Sequence, residues 1–261
     1  MTEEKKNVTD EVAKKEGKQV DVSSVGDKAS SSDASDSGTI SLLMEDMLKA
    51  GMHFGHKKSR WNPKMKKYIF GVRNGIHIID LEKSILEFRK TINFLDGLAK
   101  KGGKVLFVGT KSQAKALVKE VADNLEMPYV NNRWLGGTFT NFNVIRKRVK
   151  FLQTNRESLE KGRLVVATKL EMGRLTKKLD KIEERMGGLE RMDRLPDAVF
   201  VLDVNESADV IREAKKVGIK TVGLVDTNCD PDAVDYLIPG NDDAVSSIKY
   251  VLKKVQSVFK K

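Results

Sequence analysis

Residues 104–112, Lys-Val-Leu-Phe-Val-Gly-Thr-Lys-Ser, are the stretch from which the fold of this 261-residue chain can be worked out. The unbroken apolar run Val105–Val108 is typical of a strand covered on both faces, and Gly109 ends it. An amphipathic helix is predicted to begin at Ser112. Its inward positions are Ala114, Leu117, Val121 and Leu125. A buried strand followed at once by such a helix is the unit of a parallel α/β sheet.

The same unit recurs further along the chain. A second strand is predicted over residues 196–202, followed by a helix that Ser207 caps and that stops at Gly218. A third strand is predicted over residues 219–225, a final helix after Asp243, and a short strand at residues 129–130. Together these elements predict a parallel sheet with helices on both faces.

The chain before residue 104 has a different pattern. A short helix is predicted through Leu43, Met47 and Leu48. Residues 68–70 and 76–79 resemble two short strands, and the Asn-Gly pair between them is a hairpin signal. Asp80 is then predicted to cap a helix that Gly102 and Gly103 close.

Residues 143–187 change to a heptad period, which predicts two helices that pack along apolar seams. The seam positions are Ile145, Val149, Leu152 and Leu159, then Met172, Leu175, Leu179, Ile182 and Met186. A break near Lys161-Gly162 favours an antiparallel coiled-coil hairpin inserted into the α/β unit. This segment holds 13 bases and six acids, so we interpret it as a basic arm. The alternative is a hairpin packed back on its own sheet.

Composition bounds the function. The predicted organisation is a disordered acidic tail (1–39), an α/β globular domain (40–142 and 188–261) and the arm (143–187). The net charge of the whole chain is +11. Cys229 is the only cysteine, which excludes an intramolecular disulfide and favours a reducing compartment. The sequence contains neither the long apolar run of a membrane span nor a signal peptide, so we expect a cytoplasmic protein.

Residues 52–75 form the first unusual stretch. Seven cations and no acid lie among aromatic residues, Pro63 and glycines. Lysine and arginine neutralise phosphates, and aromatic rings stack on exposed bases, so this composition favours RNA binding. The alternative is a soluble loop whose aromatic side chains seal a core edge.

Residues 131–141, Asn-Asn-Arg-Trp-Leu-Gly-Gly-Thr-Phe-Thr-Asn, form the second unusual stretch, and residues 127–156 contain no acid. Arg133 and Trp134 offer a cation and a stacking surface side by side. The two glycines permit close approach of a backbone. A second acid-free basic segment strengthens the RNA hypothesis.

Three features of the sequence could instead indicate an enzyme or a metal site. Residues 104–112 lack the glycines of a phosphate-binding loop. His53 and His56, with an aspartate such as Asp203, Asp226 or Asp230, could hold a metal, but the spacing is weak evidence. Residues 226–232 lie at a strand's carboxyl end, where an α/β enzyme would bind a phosphorylated ligand, yet no acid–base pair accompanies them. We therefore predict a non-enzymatic protein without cofactor, metal or small-molecule substrate.

Eight motifs in this sequence resemble one family, the bacterial form of the second protein of the small ribosomal subunit. They occur in the family's order and cover about residues 42–258. They are Gly51-Met-His-Phe-Gly-His56, Arg60-Trp-Asn-Pro-Lys64, Tyr68-Ile-Phe-Gly71 with Gly75-Ile-His-Ile-Ile-Asp80, Leu106-Phe-Val-Gly-Thr-Lys111, Arg133-Trp-Leu-Gly-Gly-Thr138 with Thr140-Asn141, Leu195-Pro-Asp197, Asp226-Thr-Asn-Cys-Asp-Pro-Asp232 and Ile238-Pro-Gly-Asn-Asp-Asp243. Lys220 departs from the family's usual proline, and nothing carries over to the tail 1–39.

The resemblance implies a flavodoxin-like fold with a coiled-coil arm and a structural role. It implies docking near the head–body junction of the small subunit, contact with small-subunit rRNA, late joining during assembly, and help in recruiting the large mRNA-binding first protein. The predicted RNA-binding residues are Lys57, Lys58, Arg60, Trp61, Lys64, Lys66, Lys67, Arg73, Arg133, Asn141, Arg146, Lys147 and Arg148. The acidic half around the last two strands is expected to face solvent or a basic neighbouring protein. A free RNA-binding regulator is the remaining alternative.

Overall fold

The structure, a computed structural model, describes residues 42–161 and 169–260. The predicted acidic tail lies outside the described residues, and so does Gly162 of the predicted break. In chain order the elements are α1 (42–49), β1 (Phe54–Lys57), β2 (Ile69–Arg73), β3 (Ile76–Ile79), α2 (Leu81–Lys100), β4 (Val105–Val108), α3 (Ser112–Asn124), β5 (Tyr129–Val130), α4 (Phe142–Glu160), α5 (Lys169–Met186), β6 (Ala198–Val201), α6 (Ala208–Val217), β7 (Lys220–Val225), β8 (Tyr236–Pro239) and α7 (Val245–Phe259).

The larger sheet has five parallel strands in the order β5-β4-β6-β7-β8. The first strand along the chain, β4, pairs with β5 on one side and with β6 on the other. This is the flavodoxin-like order, in which the direction of winding reverses between the first and third strands. The fold prediction is therefore confirmed. Strand β8, a four-residue strand that ends in proline, was not predicted.

Successive strand residues point to opposite faces of this sheet and build two cores. Phe107 of β4 and Phe200 of β6, whose ring centroids lie 5.7 Å apart, belong to the core under α2, α3 and α7. Leu106 and Val108 belong to the core on the other face, with α6 and the ends of α4 and α5 nearest the sheet. The central strands β4 and β6 are apolar at every position, as expected for strands that helices cover on both faces.

A smaller antiparallel sheet of order β1-β3-β2 precedes the larger one. The predicted hairpin between β2 and β3 is confirmed, and Asn74 (φ 51°) and Gly75 (φ 76°) both adopt the left-handed conformation that such a turn requires. Strand β1 was not predicted. Residues 52–62 lie across the carboxyl ends of the large sheet, since the N–H of Asn62 donates to the carbonyl of Thr227 (2.8 Å).

Helix ends follow their local chemistry. The Asp80 side chain accepts hydrogen bonds from the N–H groups of Glu82 and Lys83, as the capping prediction requires. Gly218 ends α6 with φ 79°. Ser207 precedes α6 as predicted, but its side chain makes no capping hydrogen bond.

The two predicted helices of the arm are present as α4 and α5, and they pack against each other. Ile145, Val149 and Met186 are buried in the core against the large sheet, so the base of the hairpin is joined to the α/β body. Farther along, Arg156 and Glu183 form an ion pair of 2.9 Å. A coiled-coil geometry for this pair of helices remains a prediction. Among the described residues, no helix combines the length and apolar character that crossing a membrane requires.

Candidate nucleic-acid interface

All thirteen predicted RNA-binding residues lie on the surface. They fall on three parts of the fold: the segment from β1 to the β2–β3 turn, the loop after β5, and the first turns of α4. The first part contacts residues that follow β7 and β8, and the second follows the carboxyl end of β5. Both basic segments therefore lie at the carboxyl edge of the large sheet.

Lys57, Lys58 and Arg60 are the most available cations of the first segment. They are exposed and form no ion pair with any residue that the structure describes. The Trp61 ring packs against the ring of buried His77 at 5.3 Å between centroids and remains 38% exposed. One surface of this indole is therefore still open to a nucleobase.

Lys64 is placed differently from its neighbours. Its ammonium lies 2.8 Å from Asp230 and 3.2 Å from Asp232, in the loop that follows β7. Hydrogen bonds to Asp230 and then Asp232 raise the pKa of Lys64, while the same contact lowers the pKa of Asp230. Because two carboxylates already neutralise this cation, Lys64 fastens the basic segment to the large sheet and has little charge to offer a phosphate.

An acid that was not predicted as a site residue, Glu213, holds the loop after β5. Glu213 of α6 accepts hydrogen bonds from the N–H groups of Gly137 (2.7 Å) and Phe139 (3.1 Å) and from the Trp134 indole (3.2 Å). Trp134 is half-buried and also packs edge-on against Phe139. The N–H and one ring contact of Trp134 therefore serve the fold, and its stacking on RNA remains a prediction.

The basic residues of the arm border an apolar groove between α4 and α5. This groove has a volume of about 830 Å³. Phe151 lies in its wall, with the ammonium of Lys178 over the ring at 5.3 Å. The predicted residues Lys147 and Arg148 line the α4 side. None of the described residues that line this groove is acidic, so its positive potential adds to that of the loop after β5.

A buried ion cluster occupies the carboxyl ends of the large sheet. The Lys111 ammonium, after β4, lies 2.9 Å from Asp203, 2.9 Å from Asp242 and 2.8 Å from Asp243. The first two acids are buried, as is Asp226 after β7. The expectation that the acidic half faces solvent or a basic neighbour is therefore wrong for these three acids. Strand ends converge at this edge, which brings together residues that are far apart in the sequence.

His56 extends this cluster into the basic segment. Its Nδ1 lies 3.2 Å from Asp226 and its Nε2 lies 3.4 Å from Asp243. The hydrogen bond to Asp226 raises the pKa of His56. By contrast, His53 contacts the Phe54 ring, and burial lowers its pKa. The two histidines therefore do not form one site.

The cluster contains donor sets of the kind that hold a cation. One set is His56, Asp242 and Asp243, and the other is Asp203, Cys229 and Asp242. Burial, with the charge of Asp242 next, raises the pKa of the Cys229 thiol to about 12. A thiol of that pKa is a poor ligand and a poor nucleophile. Lys111 already supplies positive charge to both sets.

The glycine of the strand–loop–helix at residues 104–112 serves packing. A Cβ on Gly109 would lie 2.7 Å from Val118 and 3.1 Å from Ala114, so the absence of a side chain lets α3 approach β4. This contact agrees with Gly109 being an ordinary junction between a strand and a helix, and not part of a phosphate-binding loop. Lys111 was not predicted as a site residue, although its position just beyond a parallel strand was a usable signal.

Comparison with known proteins gives one consistent result. The model of the family described as Ribosomal protein S2 matches residues 47–261. Proteins named small ribosomal subunit protein uS2 from Francisella tularensis subsp. novicida (strain U112) and from subsp. tularensis (strain WY96-3418) are each 49% identical over 212 residues. Those residues are 81% of this chain and 89% of each relative.

Proposed function

The chain belongs to the ribosomal protein S2 family, and on that premise we propose that it is a structural constituent of the small ribosomal subunit that binds rRNA with the carboxyl edge of its large sheet. The site is near the head–body junction of the subunit. In this role the protein works by positioning and has no catalytic activity. Its place is the cytoplasmic ribosome.

One observation carries the RNA-binding part of this proposal. Lys57, Lys58 and Arg60 are adjacent, exposed and unpaired within the described residues, and an open face of Trp61 lies beside them. Unpaired cations release counterions when they meet phosphates, which supplies affinity, and the indole adds stacking on an unpaired base. The same segment is fixed by hydrogen bonds to the large sheet, so it presents these groups without first having to fold.

The loop after β5 and the start of α4 extend this interface. Arg133 and Asn141 lie at the two ends of the loop, and Arg146, Lys147 and Arg148 follow within the first turns of α4. Phosphate contacts from such residues fix position and orientation and carry little sequence information. Specificity then comes from the shape of the assembled RNA and from unpaired bases.

We further propose that the smaller sheet docks neighbouring ribosomal proteins, including the large mRNA-binding first protein. Phe70 on β2 is 81% exposed, and Phe54 and Val72 are exposed as well. Exposed apolar side chains such as these on one small sheet are the kind of feature that favours binding of a partner. RNA offers little for such side chains to pack against when its bases are paired, so this surface suits a protein.

Sucrose-gradient sedimentation of cell lysate at normal and at raised salt, with detection of this protein by immunoblot, tests the proposal. We expect the protein to migrate with small subunits and whole ribosomes at normal salt and to be released at high salt. An interface with about 6–10 phosphate contacts loses roughly 10³–10⁵ in affinity between about 50 and 200 mM salt. A protein found mainly at the top of the gradient at normal salt would refute the ribosomal role.

A further inference from the structure

The loop between Arg133 and Asn141 contains no acid, yet a carboxylate lies beneath it. Glu213 comes from α6, more than seventy residues later in the chain. Besides the three contacts described above, it accepts a hydrogen bond from the N–H of Thr140 (3.4 Å). One side chain thus meets three backbone N–H groups and an indole N–H within a single loop.

This carboxylate also replaces what the start of α4 lacks. The first turn of α4 contains no acid, and the Asn141 side chain makes no capping hydrogen bond. Glu213 binds Thr140, two residues before α4 begins, and an anion near the positive end of a helix is favourable. The N–H of Asn141 tightens the loop further by donating to the carbonyl of Gly137 (2.7 Å). Gly137 has φ 89°, in the left-handed region.

We propose that Glu213 is the positioning residue of the RNA interface: it holds the loop after β5 so that Arg133 and Asn141 face rRNA in a fixed arrangement. This inference rests on the proposed function. It also assigns a second effect to the carboxylate. Glu213 already accepts hydrogen bonds from the backbone N–H groups of the loop, so these groups are not available to a phosphate. Phosphate is therefore bound by the side chains of Arg133 and Asn141.

The ionisation of Glu213 agrees with this role. Burial alone would raise its pKa, but the hydrogen bonds from Gly137, Phe139, Trp134 and Thr140 outweigh burial and lower it. Glu213 is therefore charged at neutral pH, and its contacts with the loop are charge-assisted.

The test compares two substitutions that change net charge equally. Glu213→Gln and Asp209→Asn each remove one negative charge from α6. Asp209 is exposed, and within the described part of the chain its ion pair is with Arg212 on its own helix. We measure the affinity of each purified full-length variant for small subunits from which the protein has been stripped with salt. Asp209→Asn should bind as tightly as wild type or slightly more tightly, because it makes the protein more positive. Glu213→Gln should bind roughly three- to tenfold more weakly, because the loop must be ordered on binding.

A double-mutant cycle shows whether Glu213 acts through the loop. Arg133→Ala should weaken binding, and adding Glu213→Gln to Arg133→Ala should cost clearly less than Glu213→Gln does in the wild-type protein. A loss of stability unrelated to RNA would leave the two effects additive. Additive effects, or Glu213→Gln binding like Asp209→Asn, would overturn the inference while leaving the proposed function intact.

Two further arms complete the experiment. If Glu213→Gln fails to unfold cooperatively, Glu213→Asp is used, since it keeps the charge and shortens the reach by one methylene. We expect it to bind less tightly than wild type, and wild-type affinity would overturn the inference. If wild-type protein itself does not rebind stripped subunits, the proposed function fails, and this result is distinct from every outcome above.

Discussion

The ammonium of Lys111 lies 2.9 Å from a carboxylate oxygen of Asp242, a residue with no exposed surface. Burial alone would lower the pKa of this lysine, but hydrogen bonds to Asp243 and Asp242 raise it well above its usual range. The charge on Lys111 is therefore permanent. It compensates the acids that the strand ends bring together where other folds of this type bind ligands.

Replacing Lys111 with methionine should destabilise the protein strongly. Removing one partner of a buried ion pair leaves an uncompensated charge and costs about 3–5 kcal/mol. Urea unfolding followed by circular dichroism measures the loss. The control is Lys49→Met, because Lys49 pairs with Glu45 on the surface with 73% of its side chain exposed, and such pairs contribute about 1 kcal/mol or less. Equal effects of the two substitutions would contradict the role given to Lys111.

Asp242 should make stability fall as the pH rises. Burial and then the charge of Asp226 raise the pKa of Asp242 to about 7, whereas the usual value is 3.8. Between these values the folded state holds a proton that the unfolded chain has released, so the free energy of unfolding decreases with increasing pH.

Asp242→Asn tests this dependence. The wild-type protein should lose about 1–3 kcal/mol more than the variant between about pH 5 and pH 8. His56 contributes in the same direction in both proteins. Its raised pKa gives stability that is present below pH 6.5 and is lost as the pH rises through the folded value. Parallel stability curves for variant and wild type would show that Asp242 is ionised throughout this range.

Gly55→Ala should detach the basic segment from the large sheet. A Cβ at this position would lie 2.5 Å from the Thr227 methyl group and 2.8 Å from its hydroxyl. That hydroxyl accepts the hydrogen bond from the N–H of His56, so the clash falls on the contact that holds β1. We expect a cost of about 1–3 kcal/mol in urea unfolding.

Gly71→Ala is the matched control for Gly55→Ala. Gly71 lies in β2 of the same small sheet, and no atom of the described structure comes within 4 Å of an added Cβ. This substitution should change stability by less than about 0.5 kcal/mol. A similar loss for both variants would mean that the β-sheet conformation, and not the approach to Thr227, requires glycine.

Charge reversal at Lys57, Lys58 and Arg60 to glutamate should weaken association with the small subunit. Each lost phosphate contact should also reduce the salt dependence, by roughly 0.7–0.9 in the slope of log affinity against log salt. Rebinding to stripped subunits across a salt series measures both effects.

The matched control changes three other exposed lysines to glutamate. They are Lys249 and Lys253 of α7 and Lys260, which follows it. It changes net charge by the same amount. If both triple variants bind equally, the interaction follows overall charge and the assignment of residues 57–60 is refuted.

Much of this architecture was predictable because it depends on local pattern. Apolar runs such as Val105–Val108 identify central strands, and Asp80, Asn74-Gly75 and Gly218 mark ends and turns with their own side chains or dihedral angles. Strands β1 and β8 were missed because glycine and polar residues in one and proline in the other obscure the pattern of a strand.

The site was less predictable, because its key partners are distant in the sequence. Exposure of the basic residues followed from their composition. The pairing of Lys64 with Asp230, the burial of Asp203 and Asp242 and the anchoring of Trp134 by Glu213 all depend on which loops meet at the sheet edge. No periodicity in the sequence encodes those meetings.

The contact between the N–H of His56 and Thr227 spans 171 positions of the chain. During synthesis the basic segment leaves the exit tunnel first, but the residues that hold it follow only after most of the protein has been made. At about 5–20 residues per second the delay is roughly 10–30 seconds. For that time the hydrogen bonds that fasten this positively charged, aromatic segment to the loop after β7 cannot form. The surface proposed to bind RNA therefore reaches its final position only late in synthesis.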